Sequence, residues 1–379
     1  MFRRSTWLGA VIGAAAAAGV LALVGVRQDA QRPTGPALSE CDGRLRALVI
    51  QYEPAGAEAV EPVYRQFLSQ LRQDVTVYAV CPDQAAFDRL RGRVGEIPPR
   101  LEPILVGHAM TSWARDRWVA LAPKRPGRAT TLWLPRGEAG ASLRAGRAGD
   151  ERIGQDIAAA LAPRVQALRS ELYFDAGDFL ADGENVFIVP RVLDRNIQNT
   201  VADRQEFLRL VGSALRRPVV LLEDAPEHHA GMFMMSVGGR TMLVGDPSLA
   251  RALTPAATTA PASAAFPELP GGADFTLQTQ RRFDAVARQC QAEGYTVVRI
   301  PVVPATDGRT FLTYVNAIID RDGPNRIVYM PCYRGAEPLN AAAEKVWQGL
   351  GYEVRPIDCT SVYRHFGCLH CLVNVLERQ

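Results

Sequence analysis

What most constrains this chain is a pattern that recurs although its sequence does not: two adjacent β-rich runs, a helix, then one more strand. Phe174 to Pro190 holds two apolar runs split by Asp182-Gly183-Glu184-Asn185, followed by a helix near Ala202–Leu215 and the strand Val219–Leu222. Met232–Val237 and Thr241–Val244, split by Gly238-Gly239, lead into a helix over Phe275–Glu293 and the strand Thr296–Val303. Phe311–Ile319 and Ile327–Met330, split by Asp322-Gly323, precede the helix Leu339–Leu350 and the strand Tyr352–Ile357. Glycine turns between short β-rich runs are hairpin signals. A fourth unit reads Arg117–Leu121, Thr130–Leu134, a helix near Glu151–Leu161 and the strand Glu171–Phe174. The fifth is divided between the ends: Ala47–Tyr52, the helix Val60–Leu71 and Val75–Val80 lack a first strand, which Leu372–Leu376 supplies. Five such units predict an α/β fold of five small sheets closed into a propeller by joining the terminal strands. A single doubly wound sheet is the competing architecture.

Composition narrows the class. Of 379 residues, 47% are hydrophobic and 22% charged, which excludes an intrinsically disordered chain. The net charge of +3 comes from arginines spread among acidic residues, with only Lys124 and Lys345 as lysines. With no basic run interleaved with aromatics, no nucleic-acid partner is expected. Arg3 and Arg4 precede an uncharged stretch from Trp7 to Val26. Residues 1–27 therefore read as a membrane anchor or a signal peptide, with the rest of the chain exported, periplasmic or extracellular. Residues 28–44, with Pro33, Gly35 and Pro36, read as a linker, and 45–379 as one domain. The Ala/Pro/Thr/Gly-rich stretch 254–273 reads as a long loop, and the basic segments 124–128 and 136–147 as solvated surface.

Polar residues gather where the first strand of each unit begins: Trp113-Ala114-Arg115-Asp116, Asp175-Ala176-Gly177-Asp178, Glu227-His228-His229, and Gly367-Cys368-Leu369-His370-Cys371. In a closed ring of units these starts face one axis, where a thiol, imidazoles and carboxylates meet. The order and spacing of W-A-R-D, D-A-G-D, H-A-G-M-F and G-C-L-H-C resemble the guanidino-group-modifying enzymes of the pentein fold, nearest the agmatine deiminase and bacterial peptidyl-arginine deiminase branch.

That resemblance implies a cysteine hydrolase that turns the guanidinium of agmatine, arginine or peptidyl-arginine into a ureido group and releases ammonia. It makes Cys371 the nucleophile and His229 the acid and base. Asp116, Asp175, Asp178 and Trp113 become the substrate-binding residues, carboxylates being suited to grip a planar guanidinium. It calls for no cofactor and no metal. The family also carries a carboxylate two residues after the histidine, where this chain has Gly231. A catalytically degenerate binding module for guanidino ligands is therefore the second reading.

Cys368 and Cys371 also form C-x-x-C, which admits an envelope thiol-redox protein. A metal site of His365, Cys368, His370 and Cys371 ranks below the hydrolase because ligands so close in sequence crowd one another. Seven cysteines is an odd number for an exported chain. It implies one thiol kept free, Cys371, and up to three bridges among Cys41, Cys81, Cys290, Cys332, Cys359 and Cys368.

Overall fold

In a computed structural model of the protein, the structure describes residues 35–125, 127–138, 147–254 and 269–379. The stretch Trp7–Val26 and most of the 254–273 loop lie outside them. No helix among the described residues is long and apolar enough to cross a membrane.

Hairpin turns and helix caps act where the sequence places them. Gly238 and Gly239 take positive φ (83° and 59°) between two strands, a conformation only glycine adopts without strain. Asp182 Oδ1 accepts from the backbone N–H groups of Glu184 and Asn185 at 2.7 and 2.8 Å, closing the hairpin before it. Asp203 caps a helix by accepting from Glu206 N at 2.8 Å.

Among the described residues the strands form five sheets, and each carries the same signature. The first strand is antiparallel to the second, and a helix crosses from the second to a parallel third. In chain order the sheets begin with β1 (Leu45–Gln51), α1 (Ala57–Gln70), β2 (Thr76–Cys81), α2 (Gln84–Val94) and β3 (Arg100–Leu105). Next come β4 (Val119–Leu121), β5 (Thr130–Leu134), α3 (Asp150–Ala160) and β6 (Val165–Arg169). The third sheet holds β7 (Phe179–Ala181), β8 (Val186–Ile188) and β9 (Val219–Leu221), with α4 (Pro190–Asn196) and α5 (Arg204–Leu215) between the last two. The fourth runs β10 (Met234–Gly238), β11 (Thr241–Asp246), α6 (Pro247–Leu253), α7 (Leu277–Ala292), β12 (Thr296–Pro304) and β13 (Phe311–Thr313). The fifth has β14 (Ile318–Asp322), β15 (Asn325–Cys332), α8 (Glu337–Gly349) and β16 (Glu353–Asp358). Finally a short helix, α9 (Leu369–Leu372), leads into β17 (Val373–Arg378), which returns to pair antiparallel with β1. One doubly wound sheet is excluded.

The helices cover the sheets with apolar stripes at helical spacing, such as Val60, Val63, Tyr64, Phe67 and Leu68 of α1, or Leu339, Ala343 and Trp347 of α8. Three expectations are corrected. The partner of β5 is Val165–Arg169, not Glu171–Phe174: β6 is mostly exposed, so its polar residues hide the strand signal. The run Phe311–Ile319 is two strands in different sheets, β13 pairing with β12 and β14 with β15. The described part of the expected linker is packed structure, with Ala37, Ser39, Glu40 and Cys41 buried and Ala37 bridged to Leu121.

Candidate active site

The segments that lead into the five first strands touch one another in a closed cycle. Arg115 N donates to Cys371 O (3.2 Å), and Ala176 N to Asp116 O (2.7 Å). Gly177 lies against the His229 ring so closely that a Cβ there would stand 2.5 Å from Nδ1. Asn316 Nδ2 donates to Gly231 O at 3.0 Å, and His370 N to Asn316 O at 3.1 Å. Cys371 N donates to Asn316 Oδ1 at 3.3 Å and completes the cycle.

On this cycle a cavity of about 90 Å³ is lined by Trp113, Asp116, Arg147, Asp175, Arg191, His228, His229, Arg309, His365, Phe366 and Cys371. Five of the six residues expected at the site are thus brought together. Asp178 is the exception: it is fully buried behind the cavity wall, where Arg191 Nε donates to its Oδ1 at 2.8 Å. It holds an arginine rather than facing the cavity.

The Cys371 sulfur has Asn316 Nδ2 at 3.4 Å and Met232 Sδ at 3.8 Å. Burial and the nearby Asp116 carboxylate push its thiol up to about 11. Burial, then the charge of Arg191, pushes His229 down to about 3, and its Nδ1 has no partner. Both shifts favour a neutral thiol and a neutral imidazole at neutral pH. A cation bound in the cavity is what would favour the thiolate. His228 stacks on His229 at 4.4 Å and places Nε2 2.6 Å from the carbonyl of Phe366, a rim residue with φ of 71°.

The carboxylates are already engaged. Asp116 Oδ2 accepts from Arg147 Nη2 at 2.5 Å, while its Oδ1 is buried without a partner. Burial raises the Asp116 carboxyl above its ordinary value against the pull of Arg147. Asp175 meets Arg195, Arg117 and Arg191 at 3.3–3.5 Å. Burial opposes its ionisation, but His229, Arg195 and Arg191 bring it down to about 2. Burial lifts Asp178 to about 7 in spite of Arg191.

Behind Cys371 lies a second cluster. Glu40 pairs with Arg115 through Oε1, and its Oε2 lies 3.1 Å from His370 Nε2. Arg115 Nη1 also reaches Asn374 Oδ1 at 3.1 Å. The space at Gly231, where the resemblance implies a carboxylate, is filled, for a Cβ there would stand 2.9 Å from His370 Nδ1. An aspartate there would have to displace a buried imidazole that Glu40 holds in place.

The sequence motifs do not mark Asn316, Arg147, Arg191 or Glu40, and they offer His370 only as a metal ligand. Asn316 is within their reach: it precedes the first strand of the fifth sheet, the one unit whose start carries no polar cluster in the motif pattern. Arg147 is hidden in a basic segment that reads as solvated surface, and Glu40 in one that reads as a linker. All seven cysteines are free thiols. Cys368 Sγ lies 3.2 Å from the Tyr333 hydroxyl, so the two C-x-x-C sulfurs have separate surroundings and form no bridge. Among the described residues, no group of three or more His, Cys, Asp or Glu is placed to hold a metal ion.

No family model matches the chain, and no curated protein matches its sequence. Its fold is shared with solved deiminases. A C. jejuni agmatine deiminase superposes with TM-score 0.65 at 12% identity, covering 89% of this chain and 94% of that one. A cysteine-to-serine form of the C. jejuni enzyme with substrate bound gives 0.66 at 11%, covering 89% and 95%. The agmatine deiminase of Enterococcus faecalis gives 0.65 at 14%, covering 92% and 99%. Likeness at such low identity is a likeness of fold.

Proposed function

We propose that the protein is a cysteine hydrolase of guanidinium compounds, a deiminase, with Cys371 as nucleophile. The observation that carries this is the meeting of Cys371, His229 and Asp116 in one cavity, supported by the deiminase fold of the solved relatives. Asp116 holds the guanidinium through charge-assisted hydrogen bonds, and with the cation bound His229 takes the Cys371 proton and leaves a thiolate. The thiolate attacks the guanidinium carbon, forming a C–S bond. His229 passes a proton to the departing nitrogen, the C–N bond breaks, and ammonia leaves. A water activated by His229 then attacks the same carbon. The C–S bond breaks, a ureido group is released, and the thiolate is restored. Asn316 Nδ2, aimed at the sulfur, stabilises its negative charge.

The closed cycle of contacts between the five lead-in segments supports a five-bladed α/β propeller, with β17 beside β1 as its seam. Residues 1–27 carry the chain out of the cytoplasm, which favours external arginine, agmatine or arginine peptides as substrates. The second reading, a guanidino-binding module without turnover, is favoured by Gly231, whose place His370 closes to a third carboxylate.

The test is ammonia and ureido release from agmatine, free arginine and arginine peptides. Cys371→Ala is expected to reduce release to background while binding persists. Binding without release by the unmodified protein would decide for the module. Release that survives Cys371→Ala would end the hydrolase reading.

A further inference from the structure

The cavity beside Cys371 has about 90 Å³ open, roughly the room of three waters and well below the ~300–1,000 Å³ of ordinary ligand pockets. Its walls explain the shortage. Arg147 and Arg191 both line it, each with about a third of the side chain exposed (29%), so neither is locked in the core. Arg147 places a guanidinium on Asp116, the carboxylate meant for the substrate's own guanidinium.

The way Arg147 is held matters. Its Nη2 uses only Asp116 Oδ2, while Oδ1 stays buried and empty, although a carboxylate receives a guanidinium best through both oxygens. Its Nε rests 3.2 Å from Asp150 Oδ2. Asp150 is itself buried and fixed by Thr111, whose N and Oγ1 donate at 2.7 and 2.8 Å. Arg147 thus has a second anion waiting when it lets go of the first.

Resting on the deiminase reading, we propose that Arg147 is a specificity-determining residue that stands in for the substrate's guanidinium on Asp116. The two exchange: the substrate's planar fork takes both Asp116 oxygens, and Arg147 swings onto Asp150. Asp116 is then never left as an unpaired buried charge, the costly condition. A neutral ligand offers no charge in return, and an ammonium lacks the fork. The same exchange releases product, because a ureido group is neutral. Arg147 regains Asp116 once hydrolysis has turned the cationic intermediate into the neutral ureido product. Selectivity for a cationic planar group and rejection of the product then follow from one side chain.

Arg147→Gln tests this, assayed at about pH 8 to keep the freed Asp116 ionised. Steady-state kinetics on guanidino substrates is expected to show KM lowered by roughly tenfold, as when a state populated about a tenth of the time becomes the only one. The kcat is expected to stay level or fall modestly, and inhibition by the ureido product to strengthen by a similar factor. Should that variant fail to fold, Arg147→Lys keeps the charge, loses the fork and is expected to move both constants the same way. A rise in KM, a collapse of kcat at constant KM, or unchanged product affinity overturns the exchange. If neither protein binds or turns over any guanidino compound, it is the deiminase reading that has failed. Turnover with unchanged KM and product affinity refutes the exchange alone.

Discussion

Two clusters of arginine and carboxylate flank Cys371, built from the same chemistry and completed to different degrees. Behind it, Glu40 engages Arg115 through one oxygen and His370 through the other, and Arg115 turns Nη1 to Asn374 and Nη2 also to the Phe179 carbonyl, leaving its Nε without a partner. In front, Asp116 and Asp178 each keep a buried oxygen with no partner. The protonation tendencies separate accordingly. At Glu40, burial is outweighed by Arg115 and His370, which bring the carboxyl down to about 2. At Asp116 and Asp178 burial wins, and both carboxyls rise. A buried carboxylate with both oxygens engaged holds a fold together. One left half-satisfied holds space for something else.

The largest effect should come from breaking the rear cluster. Glu40→Ala leaves Arg115 buried without its carboxylate and should cost about 3–5 kcal/mol in denaturant unfolding, the scale for orphaning one member of a buried pair. The pH dependence has a definite sign. Glu40 has a folded pKa below its ordinary value of 4.5, so its contribution is complete above that value and is lost as pH falls toward about 2. Wild type should therefore lose about 3 kcal/mol over that window through Glu40, and the variant should not. A loss below about 1 kcal/mol in the variant would remove the contrast between the clusters.

Gly231→Asp comes next and joins the two clusters, since residue 231 touches His370 of the rear and Asn316 at the sulfur. Placing at 231 the carboxylate that the motif resemblance implies should not improve binding. The new Cβ would press on His370 Nδ1 at 2.9 Å, an overpacking that typically costs about 1–3 kcal/mol. Stability should fall and affinity for guanidino compounds should not improve. Tighter binding with stability intact would show that the gap can be opened, and that Gly231 is a lost ligand rather than a filled one.

How much of this is readable in the residues divides along the same line. Turn chemistry is local, so Gly238-Gly239 and Asp182 announce their hairpins, and apolar spacing announces α1 and α8. The positions of Cys371, His229, Asp116 and Asp175 follow from motif order. The rear cluster does not, because Glu40 reaches its partners across 75 and 330 residues, and nothing local marks such a contact. Nor does the occupancy of the front carboxylates. Arg147 and Arg191 are two arginines among many, and only three-dimensional placement shows which of them face a carboxylate. The break within Phe311–Ile319 is hidden for a related reason. Tyr314 and Val315 continue the apolar run while the chain passes from one sheet to the next, and both are buried.

The smallest effect is the most discriminating. Asp178→Asn removes a carboxylate whose folded pKa is raised to about 7 from 3.8, so its ionisation works against the fold. The sign is opposite to that of Glu40: the native state favours the proton, and this group's contribution falls as pH rises from 3.8 through about 7. The asparagine keeps an oxygen for Arg191 Nε and sheds the charge, and Arg191 retains Asp175 at 3.5 Å. Stability near pH 8 should then hold or rise, with the fall between about pH 4 and 7 flattened. A loss of about 3 kcal/mol or more, like that expected for Glu40→Ala, would make the front cluster as structural as the rear. The empty oxygen of Asp178 would then be a packing residue's idle atom, leaving Asp116 as the front carboxylate whose open oxygen awaits a ligand.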